Sequence, residues 1–495
     1  MKLKPRLLIA ASFSMLAGYS QNYQAINGSS LFGSLTVHNN PASIVNNPYK
    51  WDLTLFGMQA KTTNNMVDVT NYSILSSPSK SLYSFRSGEY KRMAMANANI
   101  NLLNARIALS REKAIAFGFN FRGYLDFQTS KYNFRDTLGS LGEFMGLNVD
   151  NQPMSMSTTS SSWMEIYGTY SQSIIDNSRY RLNGGVTMKL LRGISGLEYD
   201  VNNAEYSQLI PVNPPAHFIS NIGAGMGYSQ NFDKIKSSNS GFENAFQFLN
   251  FTEGGISFDA GIELLIKTQA VTDIYDDDDY YDYRWKFGLS FLDYGLNQYK
   301  YGSNSIFLYG IRPGLTDLQL EKKMTNLGPN FSDLDDSLKT IALQSVQPKG
   351  SAYRILNPSR VVLNADYFIK DNFFVNGEIS LNTSNLMGKA GDFRYVREMN
   401  LASLTPRWET KKYGAYLPMM LTTNGRFWVG AAGKVGPILF GLHNLGYIFG
   451  KKSLLQGGGY LAITLRPSDL MREKEDSRYN CPEEKKTFLQ KLGLR

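Results

Sequence analysis

Along most of the chain apolar and polar residues alternate one by one. Over residues 115–126 (IAFGFNFRGYLD), Ile115, Phe117, Phe119, Phe121 and Leu125 fall on one side, and Ala116, Gly118, Asn120, Arg122, Tyr124 and Asp126 on the other. Successive side chains of a strand point to opposite faces, so this period of two predicts a strand with one greasy and one polar face. The pattern returns in residues 255–264, where Ile256, Phe258, Ala260, Ile262 and Leu264 oppose Ser257, Asp259, Gly261 and Glu263. It returns again at 361–368, with Asn364 and Asp366 on the polar side, and at 373–381, with Asn376 and Glu378 there. Further candidates lie at 51–61, 93–103, 163–175, 182–192, 219–230, 284–294, 404–416, 426–435, 437–447 and 457–465. A piece at 105–109 merges with its neighbour, which leaves about 14 strands.

A soluble sandwich alternates too, so the character of the two faces decides. The polar face of a sandwich meets bulk water and is rich in Lys and Glu. Here it carries Gly, Asn, Ser and Thr with isolated charges, while the apolar face is long and aromatic. Strands of roughly 9 to 13 residues suit a tilted bilayer crossing better than an ordinary sheet. In lipid only a closed barrel satisfies every backbone group of a sheet. Trp51, Trp163, Tyr170, Trp285, Trp408 and Trp428 near strand ends fit the aromatic girdles of such barrels. The expected fold is all-β: a transmembrane antiparallel barrel of about 14 strands.

Composition supports this reading once the two faces are separated. Mean hydropathy is −0.28, yet 59 Phe and Tyr residues among 495 supply ample apolar surface. Beyond the first 20 residues there is no apolar run of the length a membrane helix needs. The single Cys481 cannot form a disulfide within the chain. Met1–Arg6 (MKLKPR) is basic, residues 7–17 are an apolar run, and GYS precedes Gln21, so residues 1–20 read as a secretory leader. Its removal lowers the formal charge from +9 to +6, too small a surplus to point to nucleic acid. The expected location is the cell outer membrane, with its lipid as the surrounding partner.

Residues 110–114 and 176–180 read as tight turns at one end of the barrel, and 128–160, 193–217 and 268–283 as long polar loops at the other. Lys370-Asp371-Asn372 is a short turn that strand parity puts at the long-loop end. Residues 312–357 form a helical insertion on the short-turn, periplasmic side, with Ser332 as cap, Asp335 and Asp336 in the first turn, and Leu334, Leu338 and Ile341 on one face. The barrel then spans 51–466, and residues 467–495 form a periplasmic tail.

Residues 28–42 (GSSLFGSLTVHNNPA) end in Asn40-Pro41-Ala42 just before the first strand. The segment resembles the N-terminal plug of the FadL-type (long-chain fatty-acid transporter) superfamily, whose Bacteroidota relatives include PorV-like barrels and an uncharacterised outer-membrane barrel family. GISFDAGIEL at 255–264, GLSFLDYG at 288–295, TPRWE at 405–409 and GKVGPILFGLHNLG at 433–446 are similar to those relatives. The uncharacterised family is the nearest in pattern. The resemblance implies a 14-stranded barrel with residues 21–50 as a hatch inside the lumen. It implies no substrate.

Candidate chemistry is sparse. His38, His217 and His443 are the only histidines, and no Ser or Asp spacing marks any of them as a base, so an enzyme is not expected. No cofactor and no metal centre is indicated. Asp276, Asp277, Asp278 and Asp279, with Asp273 and Asp282 beside them, could hold a cation through oxygen ligands but lack the spacing of a dedicated loop. Inward-facing polar residues form the third constellation: Asn120, Arg122, Asp126, Glu165, Lys189, Asp259, Glu263, Asp366, Glu378, Arg407, Glu409 and Lys434. Both signs occur, so paired charges filling a lumen are expected. Two functions fit. Passive uptake of a small hydrophobic ligand, with the hatch shifting to open a lateral or axial path, needs an apolar pocket from the outer rim to the hatch. A scaffold for an envelope protein partner in secretion or assembly needs only a filled lumen.

Overall fold

The computed structural model describes residues 23–467 apart from 72, 74–80, 210–215, 236–237, 251–252, 269–281, 326–337, 349, 392–393, 423–424 and 450–454. Among the described residues fourteen antiparallel strands close into a barrel. They are β1 (Trp51–Asn64), β2 (Gly88–Ala108), β3 (Lys113–Phe134), β4 (Met154–Asp176), β5 (Tyr180–Leu209), β6 (Gly254–Ile266) and β7 (Trp285–Lys300). The circuit continues with β8 (Arg360–Lys370), β9 (Phe373–Asn382), β10 (Leu401–Glu409), β11 (Tyr413–Tyr416), β12 (Ala431–Val435), β13 (Ile438–Leu442) and β14 (Gln456–Leu465). Closure is made by β14 on β1, with Leu53 opposite Leu465 and Thr63 opposite Gln456.

Alternation along these strands sends the apolar residues outward. Ile166, Leu190 and Phe440 remain 61%, 57% and 53% exposed on the outer wall, among many others like them. So large an apolar belt on a closed sheet is a lipid-facing surface, and the barrel is transmembrane. On one side of the barrel β8, β9, β10 and β14 have 11, 10, 9 and 10 residues, enough for one tilted crossing. On the other side β2, β3, β4 and β5 have 21, 22, 23 and 30 residues and rise well past the belt. Much of the stretches expected as loops at 128–160 and 193–217 is therefore strand. Both faces are polar there (Ser155–Ser162 is SMSTTSSS), so the alternation that marks a strand in lipid vanishes above it.

The tight turns lie at one end: Ser110–Glu112, Asn177–Arg179, Asp371–Asn372, Thr410–Lys412 and Gly436–Pro437. Asp371 and Asn372 have φ of 49° and 64°, the left-handed pair a two-residue hairpin demands. Three sequence expectations about sidedness are corrected together. Trp285 pairs with both Ile266 and Tyr367, so the connection that carries the acidic run leaves and re-enters the wall at the short-turn end. The Lys370–Asn372 turn lies at that end too, and 312–357 springs from the opposite end, between β7 and β8.

The cause is a single broken strand. Residues 219–230 and 255–264 read as two strands, but Ala216–Tyr228 pairs with the upper part of β5 and β6 with the lower part, so they are two halves of one wall strand. Residues 404–416 make the opposite exchange: one reading frame covers the hairpin β10–β11. The count survives while the parity between them inverts.

Four helices of six residues or more are described: α1 (Leu141–Gly146), α2 (Gly241–Phe248), α3 (Asp317–Thr325) and α4 (Ser384–Gly391). Of the helix expected after Ser332, Ser332, Leu334, Asp335 and Asp336 lie outside the described residues. Leu338 and Ile341 pack with Met145 and Leu320 beside α1 and α3.

The plugged lumen as candidate functional site

Residues 23–49 lie inside the barrel as short helical turns, and their apolar side chains seat on the inner wall. Tyr23, Ile26, Phe32 and Leu35 pack on Tyr416, Leu439, Tyr460 and Ala462. Val37, Ile44 and Val45 pack on Ala114, Ala116 and Tyr167. Asn40 caps the turn Pro41–Val45: its Oδ1 accepts from the Ala42 N–H at 3.0 Å, and its Nδ2 donates to the Ile262 carbonyl at 3.0 Å. The Ser171 hydroxyl donates to the Ala42 carbonyl at 3.2 Å.

Behind Asn40-Pro41-Ala42 the wall is bare of side chains at three positions. Gly185 on β5, Gly261 on β6 and Gly288 on β7 face it, and a Cβ at 185 would stand 2.5 Å from the Pro41 carbonyl carbon. A Cβ at 261 would stand 2.1 Å from Asn40 Oδ1. On the lipid side of this thin wall lie two shallow apolar concavities of about 640 Å³ each. Ile174, Val186, Ala260 and Phe291 line one; Leu182, Phe287, Leu363 and Ile379 line the other.

All twelve polar residues singled out in the strands are buried in the lumen, and most fall into clusters. Arg122 pairs with Asp293 and lies 3.4 Å from Glu165, which also accepts from Asn120 at 3.0 Å. Lys189 bridges Asp259 and Asp293 at 2.7 Å each. In a second cluster Arg407 holds Asp366 with two hydrogen bonds and lies 3.3 Å from Glu409, which accepts from the Ser29 hydroxyl of the hatch at 2.9 Å. Glu378 gathers hatch amides, accepting from Asn39 at 2.8 Å, Asn27 at 3.0 Å and Gln24 at 3.3 Å. Glu263 sits apart with Asn183 and Lys286, Asp126 with Arg397, and Lys434 on the Thr410 carbonyl.

Sequence reading missed Asp293, Arg360, Lys61 and Glu398. Parity puts Asp293 outward with Phe287 and Phe291; a register shift after Phe291 and φ of 62° turn it into the lumen. Glu398 belongs to no strand. It lies in the β9–β10 connection, which carries α4 and folds back into the barrel from the tall end, burying Val396, Glu398 and Met399. Glu398 meets Lys61 at 2.9 Å and accepts from Asn97 at 2.6 Å.

This connection is a second plug, and Arg360 joins it to the hatch. Its guanidinium donates to the His38 carbonyl at 3.3 Å and lies 3.8 Å from both Glu398 and Asp293. Toward the tall end, Tyr124 stacks on Trp163 at 5.5 Å, with Tyr299 and Tyr353 in the same cluster. The space an axial apolar path requires is thus taken by two plugs and their ion pairs. The histidines serve as packing and hydrogen-bonding groups: His38 beside Asn104 at 3.1 Å, His443 beside Gln59 at 3.0 Å, His217 beside Asp317 at 3.4 Å. Among the described residues no three His, Cys, Asp or Glu are grouped to hold a metal. Asp276–Asp279 and Cys481 lie outside the described residues.

Comparison with known proteins adds a family and a set of likenesses. The profile of a family of unknown function (DUF5723) matches residues 41–443. No curated protein matches the chain. Among solved structures, a Pseudomonas aeruginosa FadL homologue aligns over 90% of this chain and 99% of its own at 10% identity and a TM-score of 0.38. The P. putida toluene transporter TodX aligns over 91% and 97% at 11% identity and 0.37. The Ralstonia pickettii toluene transporter TbuX aligns over 92% and 99% at 6% identity and 0.31. Likeness at this level carries no argument about what the present chain binds.

Proposed function

The chain belongs to the family of unknown function DUF5723, so its role has to be read from the barrel itself, and we propose that it is an outer-membrane barrel for passive uptake of a small hydrophobic molecule, entering through the wall from the lipid side. The observation that carries this reading is the seat of Asn40-Pro41-Ala42. The hatch rests on backbone alone at Gly185, Gly261 and Gly288, and the apolar concavities lie directly outside. A molecule dissolved in the bilayer reaches that wall without crossing the charged lumen, and displacement of the hatch frees the space behind it. Of the lateral and axial paths expected from sequence, the axial one is set aside, because the plugs occupy it. On this reading the structure is the closed state.

One observation favours a second function. A lumen filled from both ends and locked by Lys61–Glu398, Arg122–Asp293 and Arg407–Asp366 suits a scaffold that holds an envelope protein partner and transports nothing. Cells whose outer leaflet excludes the dye N-phenylnaphthylamine separate the two. Uptake requires faster dye entry when the native protein is expressed, and slower entry for Ala260→Trp, which fills a concavity from outside. Equal entry with and without the protein removes the uptake reading, and repeatable recovery of an envelope protein with the barrel then supports the scaffold.

A further inference from the structure

The break in the sixth wall strand has a fixed height. The chain leaves the wall where the Ser229 N–H donates to the Gly196 carbonyl and returns where the Gly193 N–H donates to the Glu253 carbonyl. That level is the upper margin of the apolar belt. Below it β5 shows Val186, Met188 and Leu190 outward at 58%, 48% and 57% exposure, and on neighbouring β4 Ile166 gives way above to Ser162 and Ser160. The excursion carries α2 at this margin.

Helix α2 is built to be ordered. Ser240 and Glu243 form a reciprocal capping box: the Ser240 N–H donates to Glu243 Oε2 at 2.8 Å and the Glu243 N–H to Ser240 Oγ at 3.2 Å. Phe248 packs edge-on against Phe232 at 5.1 Å, and Asn231 Nδ2 donates to the Phe248 carbonyl at 2.8 Å. The helix is thereby tied at its C-terminal end to the turn Gln230–Lys234, which Asn231 fastens to the Ile194 carbonyl of β5. Its remaining apolar face is bare. Phe242 and Phe246, one turn apart, are 82% and 66% exposed, and Leu249 just beyond is 46% exposed. Glu243 and Gln247 occupy an adjoining polar flank.

We propose that α2 is an interfacial anchor, lying in the outer-leaflet boundary with Phe242, Phe246 and Leu249 inserted among the acyl chains. Two features select lipid over a protein partner. The bare face stands at the margin of the belt, so it continues a surface that is already in lipid. Its make-up, two Phe and a Leu beside a polar flank of Glu and Gln on a short capped helix, is that of a segment lying in the plane of an interface. The anchor goes beyond the transport reading: it rests on the barrel's placement in a bilayer and is independent of what the barrel carries.

The test is site-directed spin labelling of the full chain in proteoliposomes, in a Cys481→Ser background. Labels at Phe242→Cys, Phe246→Cys and Leu249→Cys are expected to collide more with oxygen than with the water-soluble Ni-EDDA complex, and labels at Glu243→Cys and Gln247→Cys the reverse. Preferential collision with Ni-EDDA at all five positions overturns the anchor. Variants are first checked for the gel-mobility shift on heating that a folded barrel shows. Where a cysteine variant fails that check, Phe246→Trp replaces it: blue-shifted difference emission quenched by brominated lipid supports the anchor, and unquenched emission at the water-exposed wavelength overturns it.

Discussion

At the scale of single residues, the centre of the barrel depends on charges that have no water to fall back on. Lys189 is 1% exposed and lies between Asp259 and Asp293. Truncating one partner of a buried ion pair leaves the others uncompensated, a loss of about 3–5 kcal/mol. Lys189→Met should therefore lower the urea midpoint of the refolded barrel strongly. Adding Asp259→Asn to it should recover part of the loss, because Asp259 loses its ion pair with Lys189 whereas Asp293 keeps Arg122. A glycine makes the complementary test. Gly185→Ala places a methyl against the Pro41 carbonyl and should cost ~1–3 kcal/mol of the hatch's docking energy. Faster proteolysis within residues 23–49, with the barrel itself still resistant, is the expected reading. The twelve lumen residues were legible because period two alone sends them inward. Asp293 was not, since a bulge with positive φ overrides parity at that one position.

At the scale of elements, legibility followed the solvent. Where a strand separates lipid from a polar lumen, as residues 115–126 and 255–264 do, its two faces differ and its pattern is plain. Where β4 and β5 stand in water above the belt, both faces are polar and the strand looks like a loop. Broken strands mislead in another way, since Ala216–Tyr228 and β6 are each long enough to pass for a whole crossing. The β9–β10 plug had no periodicity to announce it. Its function as a plug can be tested through its own contact: Glu398 is shared by Lys61, Asn97 and Arg360, so Glu398→Ala leaves two buried cations beside a cavity. Planar-bilayer recordings should show ion conductance in Glu398→Ala well above that of the native barrel. A silent variant would mean that the hatch seals the lumen unaided.

At the scale of the whole molecule, the barrel is lopsided: one side just spans a bilayer and the other, β2 to β5, continues beyond it as a wall joined by Ala216–Tyr228 and the strand Ile306–Ile311. Sidedness follows from this shape. Barrels of the outer membrane keep short turns toward the periplasm and long extensions outside, so Asn177–Arg179 and Thr410–Lys412 face inward to the cell. The tall wall, α1 and α3 then face out. The connection between β6 and β7 leaves and re-enters the wall at the short-turn end, so its described ends at Lys267 and Asp282 lie on the periplasmic side. In a Cys481→Ser background, an impermeant maleimide applied to intact cells should label Asp150→Cys, between α1 and β4, and leave Ser178→Cys and Asp282→Cys unlabelled until the outer membrane is permeabilised. Labelling of Asp282→Cys in intact cells, with Ser178→Cys protected, would separate the acidic connection from the short-turn end and break the register of β6 against β7 on which the whole parity rests.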